Sequence, residues 1–289
     1  ALPLYTGADA KKANKLFHPV EMHKWIQLSP FVSFRLLRAG HILGSCIVQI
    51  QYSDDSRSQI LTITGDLGGG RSQVIRDPET IIETDYLICE STYGDRCLPK
   101  FEPQQMADII NKVIRRGGTL VIPSFAVGRT QELLYLIHQL ETNNMIAPAD
   151  VYVDSPMAKQ VTSVYSHFAE ELKVGEGDAL VEFSLNAKNF HAVETADDSM
   201  LLCMNDEPKI VISASGMLQG GRVLHHLRTK LPGEKNGVLF VGFQAEGTKG
   251  RLLKNGLRTL RLHHMNIDVE AEIFSIESLS AHADSNEMI

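Results

Sequence analysis

Tryptophan occurs once in these 289 residues and cysteine four times. Cys46, Cys89, Cys97 and Cys203 form no CxxC pair, so neither a zinc-thiolate site nor a secreted disulfide framework is indicated, and a reducing cytoplasm is the default compartment. No run approaches the roughly 18 consecutive apolar residues of a membrane helix. The start, ALPLYTGADAKKANK, lacks the basic-then-apolar order of a signal peptide. An excess of basic charge is missing too: 28 Lys and Arg against 35 Asp and Glu leave a formal charge of −7. That excludes coating nucleic acid by bulk attraction, although a local basic groove can coexist with an acidic average. An initiator Met is absent, which suggests a piece of a longer protein. What is present is a 43% hydrophobic, 22% charged composition able to build a core, at a length near two domains. Eleven histidines are the one excess, and histidine serves as metal ligand and proton shuttle near neutral pH.

The first ninety or so residues read as strands joined by short turns: 31–36, the cleanly alternating 47–52, the β-branched 59–64, and Tyr86-Leu87-Ile88-Cys89 as a buried strand stopping at Glu90. Asp54-Asp55-Ser56 is a hairpin loop. From about residue 103 the rhythm becomes helix-strand alternation. Helices are expected at 103–114, 130–140, 156–168 and 223–231, with strands at 119–123, 151–154, 209–213 and 238–241. Such succession predicts an α/β fold with a doubly wound parallel sheet. Residues 175–198 read as an irregular surface excursion, and Asp268 to Ile273 as a return to the strand style of the first region. The α/β module is therefore expected to be inserted into a mostly β one.

Candidate chemistry stands just past apolar strands, where α/β folds place their sites. His41 lies in Ala39-Gly40-His41-Ile42-Leu43-Gly44-Ser45, and Asp66 ends a strand in Thr64-Gly65-Asp66-Leu67-Gly68. Taken singly, these fit a structural histidine and a turn aspartate as well as ligands. Glu90 at a strand end needs a partner, because an unpaired buried carboxylate is costly. His282 emerges in Ser280-Ala281-His282-Ala283-Asp284, where the Gly-x-Ser-x-Gly elbow of a serine hydrolase is missing. Two strand-to-helix loops, Ser124 to Thr130 with Arg129, and Ser213 to Arg222 with Ser215 and Gly216, could hold phosphate on free N–H groups or serve as plain helix caps. The adjacent pairs His225-His226 and His263-His264 read as solvated, since neighbours on a helix point apart.

Together these strings resemble the β-CASP branch of the metallo-β-lactamase superfamily, the zinc-dependent nucleases of the ribonuclease J and mRNA 3′-end cleavage group. Residues 39–45 resemble the family's third metal motif, 64–68 the fourth, Cys89 to Arg96 motif A and Ser280 to Asp284 motif B; Pro123 to Glu132 and Ile212 to Met217 resemble signatures of the inserted domain. The resemblance implies a partial metallo-β-lactamase αββα fold over 1–94, an inserted β-CASP domain over 95–280, and a truncated return over 281–289. It implies that His41 ligates one of two zinc ions, that Asp66 bridges both, and that Glu90 orients His282. His282 would stabilise charge on the phosphorus or protonate the leaving oxygen, with Glu90, His282 and Asp66 the catalytic set. Ser280, Arg129, Ser213, Ser215, Gly216 and, beside them, Arg222 would contact RNA phosphates. The family's His-x-His-x-Asp-His string is missing, and its last ligand would fall past Ile289. The chain as given is therefore expected to hold zinc weakly and to be inert, while its parent is a cytoplasmic RNA-processing endonuclease with 5′-to-3′ exonuclease action, working as a homodimer without a membrane. RNA affinity should then fall steeply with salt. The alternatives are a non-catalytic RNA-binding or scaffold subunit and, last, hydrolysis of a small ester.

Overall fold

The computed structural model describes residues 3–173 and 189–288 of the protein. Two sheets organise it. The first contains β1 (Ile26–Ser29), β2 (Val32–Arg38), β3 (Cys46–Ser53), β4 (Ser58–Ile63) and β5 (Tyr86–Ile88) in chain order. The β2, β3 and β4 strands pair antiparallel, with Arg38 opposite Cys46 and Ser53 opposite Ser58, while β5 joins β4 in parallel. The loop expected between β3 and β4 forms because Asp54 Oδ1 accepts from the N–H groups of Ser56 and Arg57 at 2.9 and 3.0 Å.

The second sheet is wholly parallel. It comprises β6 (Thr119–Pro123), β7 (Val151–Asp154), β8 (Phe190–Ala192), β9 (Lys209–Ser213), β10 (Gly237–Val241) and β13 (Glu272–Ile276), in the order β13-β10-β6-β9-β7-β8. Every residue of β6, β9 and β10 is buried, as continuous apolar runs covered on both faces should be. Side chains two apart share a face. Thus Leu120, Ile122, Ile210, Ile212, Leu239 and Val241 pack with helices α2 (Pro103–Arg115), α3 (Arg129–Thr142) and α4 (Pro156–His167). On the opposite face, Val121, Val238 and Phe240 meet α6 (Val223–Lys230), α7 (Lys249–Lys254) and the hairpin β11 (Thr259–Leu262)–β12 (Met265–Asp268). The α2 helix starts on Pro103 and buries Met106, Ile109, Ile110 and Val113, one face at helical spacing. Gly117, at φ +74°, ends it.

The predicted α/β fold is present, and four local expectations are corrected. The first region also holds α1 (Gly7–Asn14), a solvent-exposed helix begun by a reciprocal Thr6–Asp9 capping box. Tyr86, Leu87 and Ile88 are exposed rather than buried, because β5 pairs with β4 alone and no described element covers its faces. Asp268 to Ile273 spans the end of β12 and the start of β13, and β13 pairs in parallel with β10, so this segment belongs to the second sheet. In the supposed excursion at 175–198, residues 174–188 lie outside the described residues, but Phe190–Ala192 forms β8 and Thr195 caps α5 (Ala196–Met204) by accepting from Asp198 N–H at 3.0 Å.

Candidate active site

Strand direction assembles the site. Because β2 and β4 both run antiparallel to β3, they are parallel to each other, and β5 follows β4. Their C-terminal ends share one edge, and His41, Asp66 and Glu90 stand three, three and two residues past those ends. The parallel second sheet likewise puts the residues after β6, β9, β10 and β13 on one edge. The two edges face a common cavity of about 470 Å³ lined by His41, Arg129, Gly216, Ser280 and His282 among others.

The loops that carry these residues are locked by close backbone approach. A Cβ on Gly68 would lie 2.0 Å from the Gly40 carbonyl oxygen, and one on Gly40, whose φ is +66°, would lie 2.6 Å from Pro78 N. Gly68 N–H instead donates to Ala39 O at 2.8 Å, fastening the Asp66 loop to the His41 loop. Ser45 Oγ accepts from the N–H groups of His41 and Ile42 at 3.1 and 3.2 Å. The His282 segment is held from both sides: Gly68 bridges to His282, Tyr93 bridges to Asp284, and Ala283 N–H donates to Leu67 O at 2.8 Å.

His41 Nε2 is 3.9 Å from Asp66 Oδ2, and the His41 and His282 rings are 4.4 Å apart. One donor atom each from His41, Asp66 and His282 falls within 4.8 Å of the others. His282 Nδ1 lies 2.9 and 3.1 Å from the two Glu90 oxygens. A carboxylate only accepts, so Nδ1 carries the hydrogen and Nε2 is left with its lone pair. Glu90 is itself fixed, accepting from Leu67 N–H while its own N–H donates to Thr64 Oγ1 at 3.1 Å. The partner that Glu90 demanded is therefore present. Burial, helped by the neighbouring His282 ring and opposed by Asp66, pushes the His41 imidazole below its usual range, so it is neutral at pH 7. His41 Nδ1 is buried without a hydrogen-bond partner; the nearby Ala281 carbonyl favours the protonated ring slightly without closing a bond to Nδ1. A neutral imidazole with an orphaned nitrogen, beside a carboxylate whose side chain is 66% exposed, is a donor set that suits a divalent cation of the zinc type.

The residues expected on phosphate divide. Ser280 lines the cavity, with its Oγ accepting from His282 N–H at 3.2 Å. Gly216 lines it too, and Ser215 Oγ accepts from Gln219 N–H at 3.2 Å. Ser213 is buried and donates to the Asp154 carbonyl at 3.1 Å, away from the cavity lining. Arg129 lines the cavity but is ion-paired to Glu132 at 2.6 Å, both largely buried. Arg222 is taken by Asp154 at 2.8 Å and by the carbonyls of Val193 and Glu194. Of the histidine pairs, His225, His263 and His264 are exposed as expected, with His225 stacked on His263 at 4.7 Å, but His226 is fully buried, with Nε2 2.7 Å from Asp154 and Nδ1 3.3 Å from Cys203 Sγ, because α6 turns that side chain inward. Asp284, the third member of the Ser-x-His-x-Asp string, turns away to Arg71 and Leu98 N–H, so no serine triad forms.

The Beta-Casp domain family matches residues 130–253. The chain is 30% identical to ribonuclease TTHA0252 of Thermus thermophilus and 32% identical to an RNase J-like protein of Methanocaldococcus jannaschii, covering 99% of this chain in both cases. It belongs to the β-CASP family. A third relative of this β-CASP chain, transcription termination factor FttA of M. jannaschii, is 31% identical over 99% of the chain. The chain spans about two thirds of the length of the first two relatives, 66% of each, and 46% of the third. The residues not singled out from the sequence are Gly68 and Thr64, which set the loops, and the aromatic lining of the cavity. A glycine-rich string at a strand end was the available signal for Gly68.

Proposed function

We propose that this β-CASP chain carries part of the active site of a metal-dependent hydrolase that cleaves RNA phosphodiester bonds in RNA processing. The meeting of His41, Asp66, Glu90 and His282 at the converging strand ends, with His41 and His282 lining the cavity, is the observation that supports it most. His41 and Asp66 would hold the metal, for which zinc fits the nitrogen and oxygen donors. Bound there, it supplies Lewis-acid charge at the phosphoryl oxygens. Glu90 holds His282 in one tautomer and one orientation, and His282 presents Nε2 to the cavity, where that nitrogen takes up the proton released by the attacking water and passes it to the departing oxygen. Ser280 and the Ser215-Gly216 turn bind the phosphate flanks. Endonucleolytic attack accompanied by 5′-to-3′ exonuclease action, a cytoplasmic setting and a homodimer complete the reading, and the names ribonuclease and RNase J-like borne by two relatives support its substrate.

The test is cleavage of an end-labelled oligoribonucleotide by the whole protein that carries this chain, with chelator or zinc, beside Asp66→Ala and His282→Ala variants. Zinc-dependent cleavage lost in both variants is expected. Cleavage that persists under chelation, or in the Asp66→Ala variant, overturns the metal-dependent assignment.

A further inference from the structure

The cavity at the converging strand ends is poor in charge available to a backbone phosphate. Among the described residues, Arg129 is the one Lys or Arg that lines it, and Glu132 already holds that guanidinium at 2.6 Å. The remaining wall is strongly apolar, with Tyr93, Phe125, Met157, Met217 and Phe243. Phe125 is 52% and Phe243 44% exposed, though each stands two residues past a fully buried strand. Leaving such rings in water forgoes part of the stabilisation that burial of a large apolar side chain would contribute, so their shared exposure in one cavity marks a binding surface.

Both rings are held from behind. Gly216 carries no Cβ, and the Phe125 ring lies 3.3 Å from where one would be. Phe243 meets Tyr93 edge to face at 6.1 Å and 82°, and Tyr93, which is buried, stands edge to face with His282 at 6.1 Å and 79°. A ring fixed on one side and open on the other gives a flat partner little entropy left to lose on binding. Nucleobases are the flat, uncharged part of an RNA, and they expose a face to protein when unstacked and unpaired.

We infer that Phe125 and Phe243 are base-stacking residues that hold unpaired nucleotides beside the scissile phosphate, so that the site selects single-stranded segments through their bases rather than through backbone charge. This rests on the RNA-hydrolase reading above. A base in a duplex hides its face between neighbours and cannot reach either ring without being extruded, at a cost of a few kcal/mol.

The chain is titrated with a single-stranded oligoribonucleotide carrying one 2-aminopurine among uridines, whose fluorescence falls on stacking, and with an abasic strand of equal length and charge. The base-bearing strand is expected to bind at least about tenfold tighter, with quenching, and Phe125→Leu and Phe243→Leu are each expected to weaken it roughly 5- to 150-fold, the span of a lost base–aromatic stack. Affinity for the abasic strand stays unchanged in both variants, which shows that they are folded, and Phe125→Trp and Phe243→Trp restore tight binding. Equal affinity for the two strands, or leucine variants that bind like the parent, overturns the stacking assignment and leaves the RNA reading standing. Failure of the unaltered chain to bind either strand overturns both.

Discussion

Glu90 makes two contacts that depend on its negative charge: it accepts from Leu67 N–H and faces His282 Nδ1 with both oxygens. In Glu90→Gln an amide N–H must face one of these two donors, so His282 loses its fixed tautomer. Single-turnover cleavage by the whole protein is expected to fall about 100-fold or more, while oligoribonucleotide affinity is retained. Asp154 is the second decisive carboxylate, fully buried between His226, Ser199 and Arg222. Asp154→Ala strands the buried imidazole, takes one partner from the part-exposed Arg222 guanidinium, and should cost about 3–5 kcal/mol in urea denaturation. Burial alone would raise the Asp154 pKa, but bonds from His226, Ser199 and Arg222 together hold it below the usual carboxylate value of 3.8. A folded-state pKa below the unfolded one means that this stabilisation is complete above about pH 4 and is lost as pH falls through the lower folded value. The urea midpoint of the parent should therefore drop faster with acid than that of Asp154→Asn. Among the ion pairs, Arg129–Glu132 was legible as a spacing of three on a helix, but was passed over in favour of a phosphate role for Arg129. Arg222–Asp154 was not legible, because 68 residues separate the partners and only the sheet brings them together.

Loop geometry at strand ends offers a paired comparison. Gly68→Ala drives a Cβ into the Gly40 carbonyl, whereas Gly44, at φ +83°, has nothing within 4 Å of its would-be Cβ. Gly44→Ala should cost only the left-handed backbone penalty, about 1–2 kcal/mol. Gly68→Ala should lower the melting temperature further and should also abolish metal binding, since the His41 and Asp66 loops can no longer dock. Thermal denaturation and calorimetry of the two variants check this. Elements with strong periodicity, such as α2 and β3, are readable one residue after another. Helices α1 and α5 were passed over although Thr6 and Thr195 each precede an acidic residue by three, the capping pattern, because neither helix carries an apolar stripe that announces it. The strand at β13 was readable as a strand, but alternation does not name a partner, and β13 paired with β10 instead of the first sheet.

Across the whole molecule, the net charge of −7 and the ion pairing of Arg129 and Arg222 set how RNA can be held. With one or two phosphates neutralised at most, the slope of log affinity against log salt should be no steeper than about −1.4 for a single strand, a shallow response that fluorescence anisotropy across a salt series would measure. This replaces the steep dependence expected from sequence, which counted arginines without their acidic partners. Among the described residues, His41, Asp66 and His282 are the one cluster of three metal-type donors. Calorimetric titration of this chain with zinc should therefore find a single weak site, absent in Asp66→Ala; two tightly held ions would contradict it. The cluster was legible because each member lies in a short string past the end of an apolar strand, whereas its aromatic wall was not, since Phe125 and Phe243 are ordinary core residues until the sheet edges are seen to face each other. That convergence also sets a schedule. Glu90 and His282 are 192 positions apart and meet only through the completed second sheet. A polypeptide emerging from a ribosome therefore holds no assembled Glu90–His282 pair until the segment through His282 has been made.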